Sequence, residues 1–337
     1  MYNFCTLFNS YYLSRGLVTY ESLIRAEEKA HLYIVTFDDK AYQILKKLKL
    51  RQATLIPLET LEKEVPELKA VKADRTFGEY CWTSSSVSLH YIIQKYRLKQ
   101  CTYIDADLFF YQSPRLLLEE MPSDYSLMIT EHRYAKKHQK LGILRGRYCV
   151  QFMTFNNDPK GMKVLEWWKN ACLDWCYNRM EDGKFGDQKY LDSWTSQFEG
   201  VWELQHLGGG VAPWNMEQYH FFQDQNQLFL KEISTQKKFP LIFFHFHGLK
   251  FFDNGQVYPK GRYSISKNTH KLIFIPYIQA LEAAKKRILK IDKSFDPHGG
   301  NTVVPFSIFN RIKGQLHHLK RGIQSLINVS LPPNLLG

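Results

Sequence analysis

The sequence predicts an α/β fold, an open and mainly parallel mixed sheet flanked by helices, with a helical C-terminal extension. Two observations carry this. Through the first half, short apolar runs alternate with stretches of helical period. From about residue 265 the pattern changes to basic segments of helical spacing, which divides the chain into residues 1–264 and 265–337.

Residues 4–8 read as the first strand, and Ser14 is placed to cap a helix reaching about Lys29. Residues 32–37 and 53–56 read as strands on either side of a helix over 40–50. A helix over 84–96 leads into a strand over 101–104, which ends at Asp105. The second half is mixed: strands over 126–130 and 148–155, a long helix over 161–180, and short strands near 201–204 and 241–244. In open sheets of this kind ligands bind beyond the carboxyl ends of the strands.

The 337 residues suffice for a sizeable core, and 44% hydrophobic with 23% charged residues is the balance of a globular protein. The formal net charge of +12 implies an anionic partner. No nucleic-acid-binding motif accompanies it, so that class is not expected. Six cysteines fall at irregular spacing without a CxxC pair or Cys/His cluster, which argues against structural zinc and fits free thiols in a reducing compartment. The chain opens directly on a strand-like run, and no window approaches ~20 apolar residues, so neither a leader nor a membrane span is expected. A cytoplasmic location follows.

Four blocks carry chemistry. In the first, Tyr103-Ile104-Asp105-Ala106-Asp107, alternation puts two carboxylates on one side of the chain as it leaves a strand. Unit charges ~4 Å apart at a dielectric near 20 interact by about 4 kcal/mol, and a divalent Mg²⁺ or Mn²⁺ reverses the sign of that interaction. In the second, Phe244-His245-Phe246-His247-Gly248-Leu249-Lys250, either histidine is placed to complete a carboxylate site and Gly248 permits close backbone approach to phosphate. Lys250 supplies a point charge for a diphosphate. The third, Gly186-Asp187-Gln188, offers a carboxylate and an amide to sugar hydroxyls, or a helix-start acid. The fourth is the opening segment, where Thr6 and Asn9 are placed to hydrogen-bond a base and Tyr12 to stack on it or pack the helix entry.

Together these blocks resemble the GT-A-fold nucleotide-diphospho-sugar transferases, most nearly glycosyltransferase family 8, over roughly residues 2–255. Ile104-Asp105-Ala106-Asp107 looks like that family's DxD, Asp187-Gln188 like its DQ pair, and His245-Phe246-His247-Gly248 like its HxxG. Tyr12, ten residues before Ser22, looks like its base-stacking tyrosine. Arg75-Thr76-Phe77-Gly78-Glu79-Tyr80 and Ala212-Pro213-Trp214-Asn215 are similar to stretches of uncharacterised bacterial nucleotide-sugar transferases.

The resemblance implies a metal-dependent transferase. Mn²⁺ or Mg²⁺ sits on Asp105, Asp107 and His245, with His247 the second choice. The donor is a nucleotide sugar, a UDP-sugar favoured, held by Thr6, Asn9, Tyr12, Arg75, Asp105, Ala106, Asp107, Gly248 and Lys250. Asp187 and Gln188 flank the anomeric centre, with retention of configuration the favoured outcome. Glu131, His132, Trp214 and Asn215 are candidate contacts to the sugar or to a glycan or lipid-linked acceptor of surface polysaccharide synthesis. Ile308, Phe309, Ile312, Leu316, Leu319 and Ile323 fall at helical spacing among basic residues, which reads equally as a helix on an anionic inner membrane face and as one packed on the domain. The alternatives are a nucleotidyltransferase that makes nucleotide sugars and a non-catalytic anionic-ligand-binding protein. The first usually carries a glycine-rich phosphate loop near the N-terminus, and none is present.

Overall fold

The computed structural model describes residues 1–252, 255–259 and 263–300. Eight strands come first in the chain: β1 (Tyr2–Phe8), β2 (Ala30–Thr36), β3 (Ala53–Pro57), β4 (Gln100–Ile104), β5 (Leu108–Phe110), β6 (Leu127–Glu131), β7 (Tyr148–Asn156) and β8 (Val201–Glu203). All but β5 form one sheet in the order β3-β2-β1-β4-β7-β6-β8. The first four pair in parallel, β7 runs antiparallel to β4 and β6, and β6 and β8 are parallel.

Period-2 alternation feeds two cores, one on each face of the sheet. Phe4, Leu32 and Ile34 pack with α1 (Leu13–Ala26) on one side, while Cys5, Tyr33 and Val35 pack with residues of α3 (Phe77–Lys95) and α4 (Pro159–Asp174) on the other. The helix α2 (Asp39–Leu48) is capped by Asp38, whose carboxylate accepts from the Ala41 amide at 2.7 Å.

Several boundaries differ from expectation. Ser14 does not cap α1; it lies inside the helix, and its hydroxyl meets His298 Nδ1 at 2.8 Å. The helix expected from 84 begins at Phe77, behind a capping box: the Glu79 carboxylate takes the Thr76 amide at 2.8 Å while the Thr76 hydroxyl faces the Glu79 amide. The helix expected to reach 180 stops at Asp174, because Trp175 turns extended at φ −146°.

After β8 come a three-stranded meander, β9 (Tyr219–Asp224), β10 (Gln227–Glu232) and β11 (Lys238–Pro240), and then β12 (Phe243–His245). β12 pairs antiparallel with β5, setting His245 opposite Leu108 and Phe243 opposite Phe110. That small ladder carries the second block to the first.

Residues 265–300 share the main core. The helix α5 (Ile275–Leu289) buries Tyr277, Leu281 and Ile288 in the cluster that holds α1, and the Tyr277 ring stacks on Phe246 at 3.6 Å. Residues 301–337, including the amphipathic pattern from Ile308 to Ile323, lie outside the described residues.

Candidate active site

At the end of β4 the chain turns through Asp105-Ala106-Asp107 into β5. Three elements hold that turn. The Asp105 amide donates to the Gln151 carbonyl of β7 at 3.1 Å, and the Phe246 amide donates to the Asp107 carbonyl at 3.0 Å. The Thr19 hydroxyl of α1 lies 2.8 Å from the carbonyls of both Ala106 and Leu108.

Both carboxylates face His245. Its Nε2 lies 3.0 Å from Asp107 Oδ1 and 3.6 Å from Asp105 Oδ2. Its Nδ1 sits 2.8 Å from Gln151 Oε1. An amide oxygen only accepts, so Nδ1 carries a proton and Nε2 is the nitrogen turned to the acids. The Tyr12 hydroxyl donates to Asp107 Oδ2 at 2.7 Å.

The electrostatics follow from burial and proximity. Burial opposes charge on His245, but the Asp107 carboxylate outweighs it and holds the imidazole's pKa well above its ordinary value. Burial likewise opposes the charge on Asp107, and the same imidazole, with Tyr12, pulls that carboxyl well below the usual range. Burial pushes Asp105 up to about 6 and, with Asp105 as its neighbour, Asp187 up to about 8. His247 falls to about 4 through burial and the charge on His245, so it is neutral at pH 7. The imidazolium thus takes the place a cation would occupy between the acids. Two carboxylates and an imidazole oriented by an amide form a donor set that fits Mn²⁺ better than Mg²⁺.

These groups floor a cleft of about 520 Å³ at the carboxyl ends of β1 and β4. Asn9, Tyr12, Asp105, Ala106, Asp107, His132, Asp187, Gln188, Trp214, His245 and His247 all line it. The Trp214 ring stands T-shaped to those of His245 and His247, with centroids 5.2 and 5.5 Å apart, and its indole N–H donates to the His132 carbonyl at 2.8 Å. Burial drives His132 down to about 3 and its ring stacks on Tyr134, so it serves as a neutral wall. The Gln188 amide donates to the Arg145 carbonyl at 2.8 Å, and the Asp187 carbonyl is fixed by the Trp168 indole at 2.9 Å.

The other expected residues do not line the cleft. Thr6 is buried within β1. The Arg75 guanidinium donates to the carbonyls of Leu173 and Asp174, both at 3.3 Å, and lies 3.9 Å over the Tyr177 ring; it closes the end of α4. Glu131 pairs with Arg147 at 3.0 Å. The buried Asn215 amide ties the loop to the carbonyls of His132 and Gly210, each at 2.9 Å. Gly248 takes the left-handed turn after β12 at φ +80°, and Lys250 is exposed in a short ladder with Tyr258.

Two residues of β7 carry no motif that marks them in the sequence. Gln151 orients His245, and Cys149, two residues earlier on the same face of the strand, offers its sulfur within 4.8 Å of ligand atoms of Asp105 and His245. The one available signal is a glutamine in a largely apolar strand, which needs a partner once buried.

No family model matches the chain. Two proteins of Bacillus subtilis (strain 168) do. The uncharacterized protein YfnF is 34% identical over 254 residues, spanning 73% of this chain and 81% of YfnF. YfnD, also uncharacterized, is 30% identical over 298 residues, spanning 87% and 92%. The chain belongs to the YfnF–YfnD family. Among solved structures, that of the galactosyltransferase LgtC with donor and acceptor sugar analogs matches at TM-score 0.51 and 11% identity, covering 83% of this chain and 95% of LgtC. The fold of this YfnF–YfnD family member is therefore GT-A. Among its described residues no helix is long and apolar enough to cross a membrane.

Proposed function

We propose that the protein is a metal-dependent glycosyltransferase that moves a sugar from a nucleotide-diphosphate donor, a UDP-sugar in the first instance, to a glycan or lipid-linked acceptor. One observation carries the reading: His245, from a distant segment, comes within 3.6 Å of both Asp105 and Asp107 at the floor of a cleft of about 520 Å³, within the range of small-ligand sites. That LgtC, with the same fold, is a galactosyltransferase seen with donor and acceptor sugar analogs supports a sugar-transfer role.

Asp105, Asp107 and His245 would hold Mn²⁺ or Mg²⁺, which when bound supplies Lewis-acid stabilisation of the departing diphosphate. The chain's own residues do the rest. Tyr12 and Gln151 hold Asp107 and His245 in place before any ligand arrives, which lowers the reorganisation that binding requires. Asp187, protonated at neutral pH in the free protein, offers both a donor and an acceptor to sugar hydroxyls. Gln188 presents its amide beside it, and Trp214 and the neutral His247 wall the cleft against water. Among the described residues Asp105, Asp107 and Asp187 are the carboxylates that line the cleft, and the resemblance favours delivery of the acceptor hydroxyl on the leaving-group face, with retention. A cytoplasmic site of action, at the inner membrane face where lipid-linked acceptors of surface polysaccharide are built, completes the reading.

The test is release of nucleoside diphosphate from a panel of UDP- and GDP-sugars with and without Mn²⁺. Asp107→Asn should lower the Mn²⁺-dependent rate by about 10² or more. If no donor is turned over or bound under any cation, the transferase reading fails. Release of pyrophosphate from a nucleoside triphosphate and a sugar phosphate would point to a nucleotidyltransferase instead.

A further inference from the structure

We infer that Cys149 is a ligand of this cation site, and that its sulfur gives the site a preference for softer divalent ions over Mg²⁺. The inference rests on the metal-dependent reading in one respect: that a cation binds between Asp105 and His245.

Cys149 Sγ, a ring nitrogen of His245 and a carboxylate oxygen of Asp105 lie within 4.8 Å of one another. The three come from β7, β12 and the turn after β4, so sequence proximity does not explain their meeting. Cys149 is 5% exposed and lines the cleft, as does Cys81, but of the two only Cys149 meets Asp105 and His245; Cys5, Cys101, Cys172 and Cys176 are buried in the apolar core. A thiol that served only packing would be expected among such apolar neighbours. Cys149 also borders the apolar cluster of its face, but its sulfur meets two metal-ligand types, and Gln151, on the same face of the strand, already orients one of them.

On ligation the S–H proton leaves to solvent as the sulfur–metal bond forms. Thiolate, imidazole and carboxylate together make a mixed N/O/S set, which suits Zn²⁺, Co²⁺ or Cd²⁺ and tolerates Mn²⁺; Mg²⁺ favours an all-oxygen octahedron.

The experiment loads the full-length protein with Co²⁺ and records its absorption. A sulfur-to-cobalt charge-transfer band in the near ultraviolet is expected, beside the visible d–d bands. Cys149→Ser should abolish the first and keep the second, with an unchanged circular-dichroism melt of the apo protein. The same variant should lose Cd²⁺ affinity relative to Mn²⁺ by on the order of tenfold or more. Visible bands without a sulfur band in the unmutated protein would overturn the assignment while leaving the cation site standing, as would a sulfur band that survives in Cys149→Ser. No Co²⁺ uptake by equilibrium dialysis would overturn both the assignment and the metal-dependent reading, and donor turnover without any added cation would overturn only the latter.

Discussion

Gln151 shows how much one side chain can decide. Its carbonyl anchors the Asp105 amide and its side-chain oxygen accepts from His245 Nδ1, so it fixes a carboxylate and an imidazole of the site at once. Gln151→Leu keeps the volume and removes the acceptor. Mn²⁺ affinity should fall by about 10–100-fold, read by calorimetric titration, and the buried Nδ1–H left without an acceptor should cost about 1–3 kcal/mol of apo stability. Asp187 makes a separate prediction. Its folded pKa of about 8 lies above the unfolded value near 4, so its contribution to stability is whole below about pH 4 and fades as pH rises through about 8. In cation-free protein Asp187→Asn should therefore flatten the fall in stability between those limits, measured by urea denaturation at a series of pH values. If the slope is unchanged, the proton on Asp187 is not coupled to folding.

Among the elements, α3 and α4 bear on the frame most directly, since both pack on the face of the sheet beside the cleft. The capping box at Thr76 and Glu79 starts α3, and the Glu79 carboxylate also accepts the Asn178 amide at 2.7 Å. Burial opposes the charge on Glu79, but these N–H donors outweigh it and hold its pKa below the ordinary value. Its contribution is thus present above about pH 4 and lost as pH falls through the folded pKa. Thr76→Ala should cost about 1 kcal/mol in chemical denaturation, and Glu79→Gln should remove part of the acid sensitivity. Gly161, in the first turn of α4, packs directly on backbone: a β-carbon there would run into the Asn156 carbonyl oxygen and lie 2.9 Å from that of Ser126. Backbone cannot step aside as a side chain can, so Gly161→Ala should destabilise by about 1–3 kcal/mol, checked by the shift of the denaturation midpoint.

The whole molecule is organised so that distant segments finish the site. The segment after residue 264 looks separable by composition, yet Ile273, Phe274, Tyr277, Leu281 and Ile288 are buried in the main core, and His298 locks onto Ser14. Each such side chain contributes roughly 1.5–3 kcal/mol on burial, and their sum rivals a domain's net stability of about 5–15 kcal/mol. A chain ending at residue 264 should lose its cooperative melting transition, seen by circular dichroism. Retention of that transition would show the segment to be dispensable.

The sequence by itself determined the strand and helix order of the first half and the turn at Asp105-Ala106-Asp107, and it left His245 and His247 as the imidazoles to meet that turn. Hydrophobic period and local chemistry are written in neighbouring residues, and a resemblance in four blocks carried the rest. The ends of elements were less legible: Gly78 disguised the start of α3, because a capping box outweighs one helix-breaking residue. What only the tertiary structure decided was which candidates face the cleft. Arg75, Glu131, Asn215 and Lys250 carry suitable chemistry, but their neighbours in space turn them to helix ends, ion pairs, loop carbonyls or the exterior. Gln151 and Cys149 entered the site for the same reason in reverse. The pairing of β12 with β5 brings His245 across about 140 residues of chain to the turn at Asp105 and Asp107, beside β7, which bears Gln151 and Cys149, and a contact of that range leaves no mark on local sequence.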